Sequence, residues 1–149
     1  MVVLARDDDD AVGGADVAGE PLERLAGEIR AADGVVVVTG EYNHSMPPGL
    51  VNLLDHFLEE WFWRPAGIAC YSAGQYGGVR AAMQLRALLP EIGMPSIPSI
   101  LAMPKAQDLF DEQDQPRADW VGRQAGRFLD ELEWYGNALM TARRGGVPY

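Results

Sequence analysis

The strongest constraint on the fold is a run over residues 35–39 (VVVVT) that is β-branched at every position. A strand with one face in water alternates apolar and polar residues, whereas a strand covered on both faces is apolar throughout. A polar loop over residues 40–48 (GEYNHSMPP) follows the run, and helical spacing of apolar residues follows from Pro48 to about Phe62. This order predicts a buried strand, a loop and a covering helix.

The same order recurs along the chain. Residues 67–72 (GIACYS) form a second apolar run, which leads into the glycine-rich stretch 73–78 (AGQYGG) and a helical pattern over 79–92. The other predicted elements are helices from Pro21 to Gly34 and over 118–143, a strand over 99–103, and loops over 7–19 and 104–117. Alternating helices and strands predict a single α/β domain with a mainly parallel sheet and helices on both faces. Residues 1–20 are expected to be irregular, and the tail over 144–149 is expected to fray.

Two polar loops, 40–48 and 72–78, both follow the carboxyl ends of predicted strands. Ligands of open α/β sheets bind at this edge. We therefore expect both loops to belong to one site.

The second loop has glycines at Gly74, Gly77 and Gly78, immediately before a predicted helix. Glycine allows close backbone approach, and free N–H groups at a helix start suit an anionic or electron-rich ligand edge. The stretch lacks both the lysine of a phosphate-binding P-loop and the GxGxxG pattern of a dinucleotide-binding turn. A glycine-rich connection that binds nothing is the alternative.

The first loop offers the ring of Tyr42 and the hydrogen-bonding groups of residues 43–45, and two prolines limit its flexibility. His44 is either an exposed loop residue or a base that needs an orienting carboxylate, which Glu41 supplies only if its side chain turns that way. No catalytic triad has support, and Cys70 is expected to pack as a buried thiol. Redox chemistry would therefore come from a cofactor, and no catalytic residue is predicted.

Composition excludes several functions. The net charge of −10 argues against nucleic-acid binding, because phosphates would be repelled. No apolar run approaches the ~20 residues of a membrane span, and a single cysteine fits a reducing, cytoplasmic setting. The four aspartates over 7–10 lack the ligand spacing of a cation-binding loop, so no metal site is predicted.

Residues 35–57 and 72–98 resemble the NADPH-dependent FMN reductases of the flavodoxin-like superfamily, which include azoreductase-like and quinone or chromate reductases. The stretch 109–115 (LFDEQDQ) and the final helix also fit, so the resemblance covers about residues 20–143. It implies a five-stranded parallel sheet, bound FMN, homodimers or tetramers, and hydride transfer from NAD(P)H through the flavin to a quinone, azo, metal-oxyanion or free-flavin acceptor.

By position, the resemblance also implies which residues line the flavin ring, mostly through backbone groups. These are Glu41, Tyr42, Asn43 and His44 in the first loop, and Ser72, Ala73, Gly74, Gln75, Tyr76 and Gly77 in the second.

The sequence departs from the family pattern at one loop position and in its first segment. Gly40 replaces the usual proline, and no GSxR-type phosphate loop occurs before Pro21. The chain is therefore expected to lack the family's first strand, which would leave an edge of the 35–39 strand exposed. Arg80 and Arg86 are the conceivable substitutes for phosphate binding.

Three explanations stay open: a fragment or a mis-assigned start, a short form whose sheet a partner chain completes, or a subunit that has lost FMN. The alternative function, a flavin-free interaction subunit, is motivated by the aromatic cluster of Trp61, Phe62 and Trp63. Trp61 itself is expected in the core by its helical phase.

Overall fold

The computed structural model describes residues 2–5, 20–113 and 115–149. Over these residues the strands are β1 (Val2–Ala5), β2 (Val35–Gly40), β3 (Ala66–Ser72) and β4 (Ser96–Pro104), and the helices are α1 (Glu20–Ala31), α2 (Pro48–Asp55), α3 (Val79–Glu91) and α4 (Asp119–Arg144). The strands form one parallel sheet in the order β1-β2-β3-β4. The predicted α/β fold with a parallel sheet is confirmed, while the aspartates over 7–10 and the loop around them lie outside the described residues.

Both faces of the sheet are covered, as the apolar run over 35–39 predicts. Val35 and Val37 point into a core that α1, α2 and α3 complete, whereas Val36 points to the opposite face. There Phe128 and Leu132 of α4 cover the sheet. Alternate residues of β2 are thus buried on opposite sides, which explains why valine occupies the four successive positions before the buried Thr39.

The edge of β2 that was expected to be exposed is covered. Strand β1 pairs with it in parallel, in a register that joins Val2 to Val35 and Ala5 to Val38. In the flavodoxin strand order 2-1-3-4-5, this position beside the third strand belongs to the first strand. The exposed-edge expectation is wrong because β1 pairs with the first four of the six residues of β2, from Val35 to Val38. The sheet has four described strands rather than the five that the resemblance implies.

Helix α2 ends at Asp55, well before the predicted end near Phe62. Trp61 is fully buried and its indole Nε1 donates to the carbonyl oxygen of Leu54 at 3.0 Å. The indole thus satisfies a carbonyl of the last helical turn, and the chain turns back instead of continuing the helix. Trp61 belongs to the core as predicted, although it does so from a turn.

The other members of the aromatic cluster also pack within the chain. The ring centroids of Phe62 and Trp63 lie 5.2 and 4.9 Å from that of Tyr149. Phe62 further packs on Gly93, where a Cβ atom would come within 2.5 Å of its ring. The cluster therefore gives no support to a surface for another subunit, and Tyr149 of the expected frayed tail has ring contacts.

Strand β4 is longer than the predicted 99–103 and begins at Ser96. It includes Pro98, which is tolerated because it lies where the register between β3 and β4 shifts, between the pairs Ala66–Ser96 and Ile68–Ile100. In the described part of the chain, no helix has the length and apolarity needed to cross a bilayer.

Candidate functional site

The first loop is a tight turn at the carboxyl end of β2. Tyr42 and Ser45 exchange both backbone hydrogen bonds, at 2.9 and 2.8 Å. Between them Asn43 and His44 have φ angles of 50° and 66°, in the left-handed region. Two such residues between paired neighbours form a type I′ turn, in which asparagine is well tolerated and histidine less so. The turn thus presents its backbone at the rim of the sheet in a defined orientation.

Helix α3 holds this turn in place from the side. Ser45 Oγ donates to Gln84 Oε1 at 2.8 Å, and Gln84 Nε2 donates to the carbonyl oxygen of His44 at 2.9 Å. One turn earlier on the helix, Arg80 Nε donates to Glu41 Oε1 at 2.6 Å. The first loop is therefore held by Arg80 and Gln84, which are four residues apart on one face of α3.

Arg80 joins the two loops to each other. Its guanidinium forms an ion pair with Glu41 of the first loop and donates from Nη1 to His44 Nε2 at 2.8 Å. The same guanidinium carbon lies 4.9 Å from the ring centroid of Tyr76 in the second loop, a cation–π distance. Only 3% of the Glu41 side chain is exposed, against 40% for Arg80. One arginine thus sets the relative position of both loops.

The environment of Glu41 keeps it ionised. Its hydrogen bonds from Arg80 hold the pKa of the carboxyl below its usual value, against an opposing effect of burial. One of these bonds comes from the backbone N–H of Arg80, at 3.2 Å. The sequence predicted free N–H groups for a ligand at the start of α3. This is wrong for the N–H of Arg80, because it already donates to the carboxylate of Glu41.

The second loop packs closely on the sheet through its glycines. Gly77 and Gly78 have φ angles of 61° and 82°, and a Cβ atom on them would lie 2.9 Å from Pro104 N and 2.7 Å from Tyr71 N. Only glycine fits this backbone and this spacing. In contrast, a Cβ atom on Gly74 would meet nothing within 4 Å. The loop is anchored at one end and open at the other.

The open end of the second loop has its own supports. Ser72 Oγ donates to the carbonyl oxygen of Gly74 at 3.1 Å, and the backbone N–H of Lys105 donates to the same oxygen at 2.9 Å. Residues 73–76 are exposed. Their backbone and the ring of Tyr76 are therefore accessible to a ligand.

The ten residues named from the sequence lie on two neighbouring loops that Arg80 connects. Sequence reasoning considered Arg80 and Arg86 only as phosphate ligands. Arg80 is committed to Glu41, and Arg86 donates to the carbonyl oxygen of Pro98. The role of Gln84 was missed, although its spacing of four from Arg80, directly after a glycine-rich loop, is a usable signal. Cys70 is a buried thiol as predicted, and burial followed by the charge of Glu41 raises its pKa to about 12.

Comparison with known proteins decides the family. Residues 5–108 match the NADPH-dependent FMN reductase family. The chain belongs to this family. The match includes both loops, α3 and all of β2, β3 and β4, so the NADPH-dependent FMN reductase pattern extends across the candidate site.

Individual relatives agree with this assignment. A quinone reductase from Escherichia coli K12 is 43% identical over 72 residues, covering 46% of this chain and 38% of that protein. An NAD(P)H-dependent FMN reductase from Pseudomonas aeruginosa is 33% identical over 125 residues, covering 70% of this chain and 68% of that protein. The chain thus spans well under half the length of the E. coli relative.

A solved structure supports the fold. The flavoenzyme FerB, an NAD(P)H:(acceptor) oxidoreductase from Paracoccus denitrificans, matches with a TM-score of 0.66 and 24% identity. The match covers 89% of this chain and 76% of that one. The flavodoxin-like architecture is therefore confirmed.

The loops fit the ring of FMN better than its phosphate. The exposed stretch over 73–76, with space at Gly74 and an aromatic ring at Tyr76, suits a flat heterocycle. Arg80 is the one lysine or arginine among residues 40–48 and 72–80. Its charge is balanced by the carboxylate of Glu41. A phosphate dianion would need cations from outside these two loops.

Proposed function

We propose that this chain binds the isoalloxazine ring of FMN between residues 41–45 and 72–77 and acts as an NAD(P)H-dependent oxidoreductase. The observation that carries the proposal is the contact of one guanidinium, that of Arg80, with both loops. It holds two exposed backbone stretches at the carboxyl ends of neighbouring strands, which is where α/β sheets bind ligands. Family membership supports FMN and NAD(P)H as the cofactors.

In this proposal the chain supplies binding and orientation. When bound, FMN provides the redox chemistry, the transfer of a hydride from NAD(P)H to an acceptor. The turn over 42–45 borders one side of the ring with its backbone, and residues 73–76 offer N–H groups to the other side. Tyr42 and Tyr76, which are 44% and 56% exposed, are positioned to shield the ring from water. Glu41 acts through its backbone and through Arg80, since its carboxylate is buried in the ion pair.

The finer assignments belong to the same proposal. The acceptor is a quinone, azo compound, metal oxyanion or free flavin, a set that includes the substrates named for relatives. We propose a cytoplasmic homodimer or tetramer. Size-exclusion chromatography with light scattering tests the assembly, and a monomer at micromolar concentration contradicts it.

The test of flavin binding is a titration of the purified protein with FMN, followed by the visible absorbance and the fluorescence of the flavin. We expect a saturable change, and bleaching of the bound flavin when NADPH is added. Gly74→Phe should weaken FMN binding by at least about tenfold, because the position has room for a side chain that would fill the ring site. Riboflavin, which lacks the phosphate, should bind within about threefold of FMN if the two loops dominate the affinity.

Gly126→Phe on α4 is the matched control. A Cβ atom on Gly126 also meets nothing within 4 Å, but this glycine lies on α4 and belongs to neither loop. Gly126→Phe should bind FMN like the parent protein. Both Gly126→Phe and Gly74→Phe should keep the parent melting temperature within a few degrees. A folded protein with no flavin spectral change, or Gly74→Phe binding FMN like the parent, rules out the proposed ring site.

A further inference from the structure

The contact between Arg80 and His44 fixes the protonation state of the histidine ring. Arg80 Nη1 lies 2.8 Å from His44 Nε2. A guanidinium has N–H donors and no acceptor, so Nε2 must supply the lone pair. The contact therefore requires a neutral imidazole whose single proton is on Nδ1. A second proton would turn Nε2 into a donor and bring two cations together, which removes the hydrogen bond.

The groups around this contact leave His44 as the one that responds to pH. Glu41, in the same loop, stays ionised because its hydrogen bonds from Arg80 lower the pKa of its carboxyl. Gln84 of α3, which donates to the carbonyl oxygen of His44, is uncharged. The ring of Tyr76 in the second loop meets the guanidinium of Arg80 with its face. Histidine is the side-chain type among these that changes charge between about pH 5 and 8.

The backbone of His44 is a second reason to assign it a role. Its φ of 66° lies in the left-handed region, which histidine adopts less readily than the neighbouring Asn43. Such conformations persist where surrounding contacts hold them, and they cluster at ligand-binding loops. Here α3 holds both parts of the residue, because Gln84 donates to its carbonyl oxygen and Arg80 donates to its ring.

We infer that His44 is a positioning residue, whose neutral form keeps Arg80 on the first loop and whose protonation releases Arg80 and weakens ligand binding between the two loops. The inference rests on the proposed function for the ligand, which is a flavin ring. Arg80 also contacts Tyr76, so its release changes the support of the second loop as well. Ring binding should be tightest at about pH 7.5 and above, and should weaken as the pH falls, because the binding-competent loops carry one proton fewer.

Nitrogen-15 NMR of the ligand-free protein tests the contact itself. The chain has two histidines, so comparison with His44→Gln assigns both sets of imidazole signals. At pH 8 the signals of His44 should show a proton on Nδ1 and none on Nε2. A His44 ring that carries its proton on Nε2 at this pH overturns the inference, because that nitrogen could not accept from Arg80.

Riboflavin binding at two pH values tests the consequence. Riboflavin lacks the phosphate of FMN, so no phosphate titration near pH 6 adds to the result. The dissociation constant, measured by flavin fluorescence, should rise by about threefold to tenfold from pH 7.5 to 5.5, because one proton is linked to binding. His44→Gln should have the same dissociation constant at both pH values, since an amide oxygen accepts from Arg80 at either pH.

His56→Gln is the matched control. His56 Nδ1 lies 2.6 Å from the carbonyl oxygen of Asn52, and protonation of the ring preserves this donor. The control should therefore keep the pH dependence of the parent protein. Circular dichroism at both pH values checks that each protein is folded. A parent whose riboflavin binding does not depend on pH, or a pH dependence that survives in His44→Gln, overturns the inference.

The NMR measurement needs no flavin, so the two proposals fail separately. A protein that binds neither riboflavin nor FMN rejects the proposed function and the ligand-binding part of the inference, while the tautomer of His44 still decides the contact. Flavin binding without the pH dependence, or with the proton of His44 on Nε2, keeps the proposed function and rejects the role of His44.

Discussion

Replacing Arg80 by alanine would leave the carboxylate of Glu41 buried without its partner. The side chain of Glu41 is 3% exposed with Arg80 in place, and the contacting guanidinium is part of what covers it. Removing one partner of a fully buried ion pair costs about 3–5 kcal/mol, mainly because the other charge stays buried. Arg80 is 40% exposed, and some water will fill the space that it leaves. We therefore expect Arg80→Ala to lower the free energy of unfolding by about 2–3 kcal/mol.

Glu41→Gln should cost less, about 1 kcal/mol, because the exposed guanidinium of Arg80 can be hydrated when the carboxylate becomes an amide. The double variant should be more stable than the sum of the single losses predicts, since it leaves no buried charge. Arg86→Ala is the matched control on the same helix. Arg86 donates to a backbone carbonyl and pairs with no carboxylate in the part of the chain that the structure describes, so its loss should cost under about 1 kcal/mol.

The pH dependence gives an independent check of the same pair. Arg80 lowers the pKa of Glu41 below 4.5 in the folded parent protein. The stabilisation is therefore fully present above pH 4.5 and is lost as the pH falls through the lowered folded pKa. In Arg80→Ala the buried carboxylate has lost the group that lowers its pKa, so protonation at low pH relieves the cost of burying the charge. The stability difference between the two proteins should shrink as the pH falls from 7 to 4.

The assay is urea unfolding at pH 7, 5 and 4, followed by tryptophan fluorescence and circular dichroism at matched ionic strength. The reasoning is refuted if Arg80→Ala is within about 0.5 kcal/mol of the parent at pH 7. It is also refuted if Glu41→Gln costs as much as Arg80→Ala, or if their difference from the parent does not depend on pH.

Three further predictions concern the second loop and the core. Gly78→Ala should destabilise the fold by about 2–4 kcal/mol, because φ is 82° and the new Cβ atom would lie 2.7 Å from Tyr71 N. Gly74→Ala should change the free energy of unfolding by less than about 0.5 kcal/mol, because a Cβ atom there meets nothing within 4 Å. Urea unfolding compares the two variants, and equal losses would contradict the geometry. Cys70 should resist iodoacetamide at pH 8 in the native protein and react after unfolding, as followed by mass spectrometry, and rapid native labelling would contradict its burial. Because the pKa of Cys70 is raised from 9.0 to about 12 on folding, its contribution to stability should be fully present below pH 9 and be lost as the pH rises towards 12.

The sequence alone was sufficient for the frame of the fold. Apolar runs located β2 and β3, and helical spacing located α3 and α4 with ends within one or two residues of those observed. These features are local, because a buried strand or an amphipathic helix needs its pattern within a single segment. The carboxyl-end rule then brought both loops to one rim without any knowledge of their contacts.

Other features depended on residues that are far apart in the sequence. Helix α2 stops at Asp55 and the indole of Trp61 returns to Leu54, although the helical pattern itself continues. Strand β1 is four residues long, too short for a reliable pattern, and its place beside β2 comes from backbone pairing. Such pairing leaves no signature in the residues of either strand alone.

The candidate site shows the same division. The sequence determined that two polar, turn-rich loops follow neighbouring strands and that one of them is rich in glycine. Only the tertiary structure decided that Glu41 turns inward to Arg80, 39 positions later, and that this arginine is a structural link between the loops. The physical reason is that an ion pair depends on distance and desolvation in space, and neither is encoded by the spacing of the two residues along the chain.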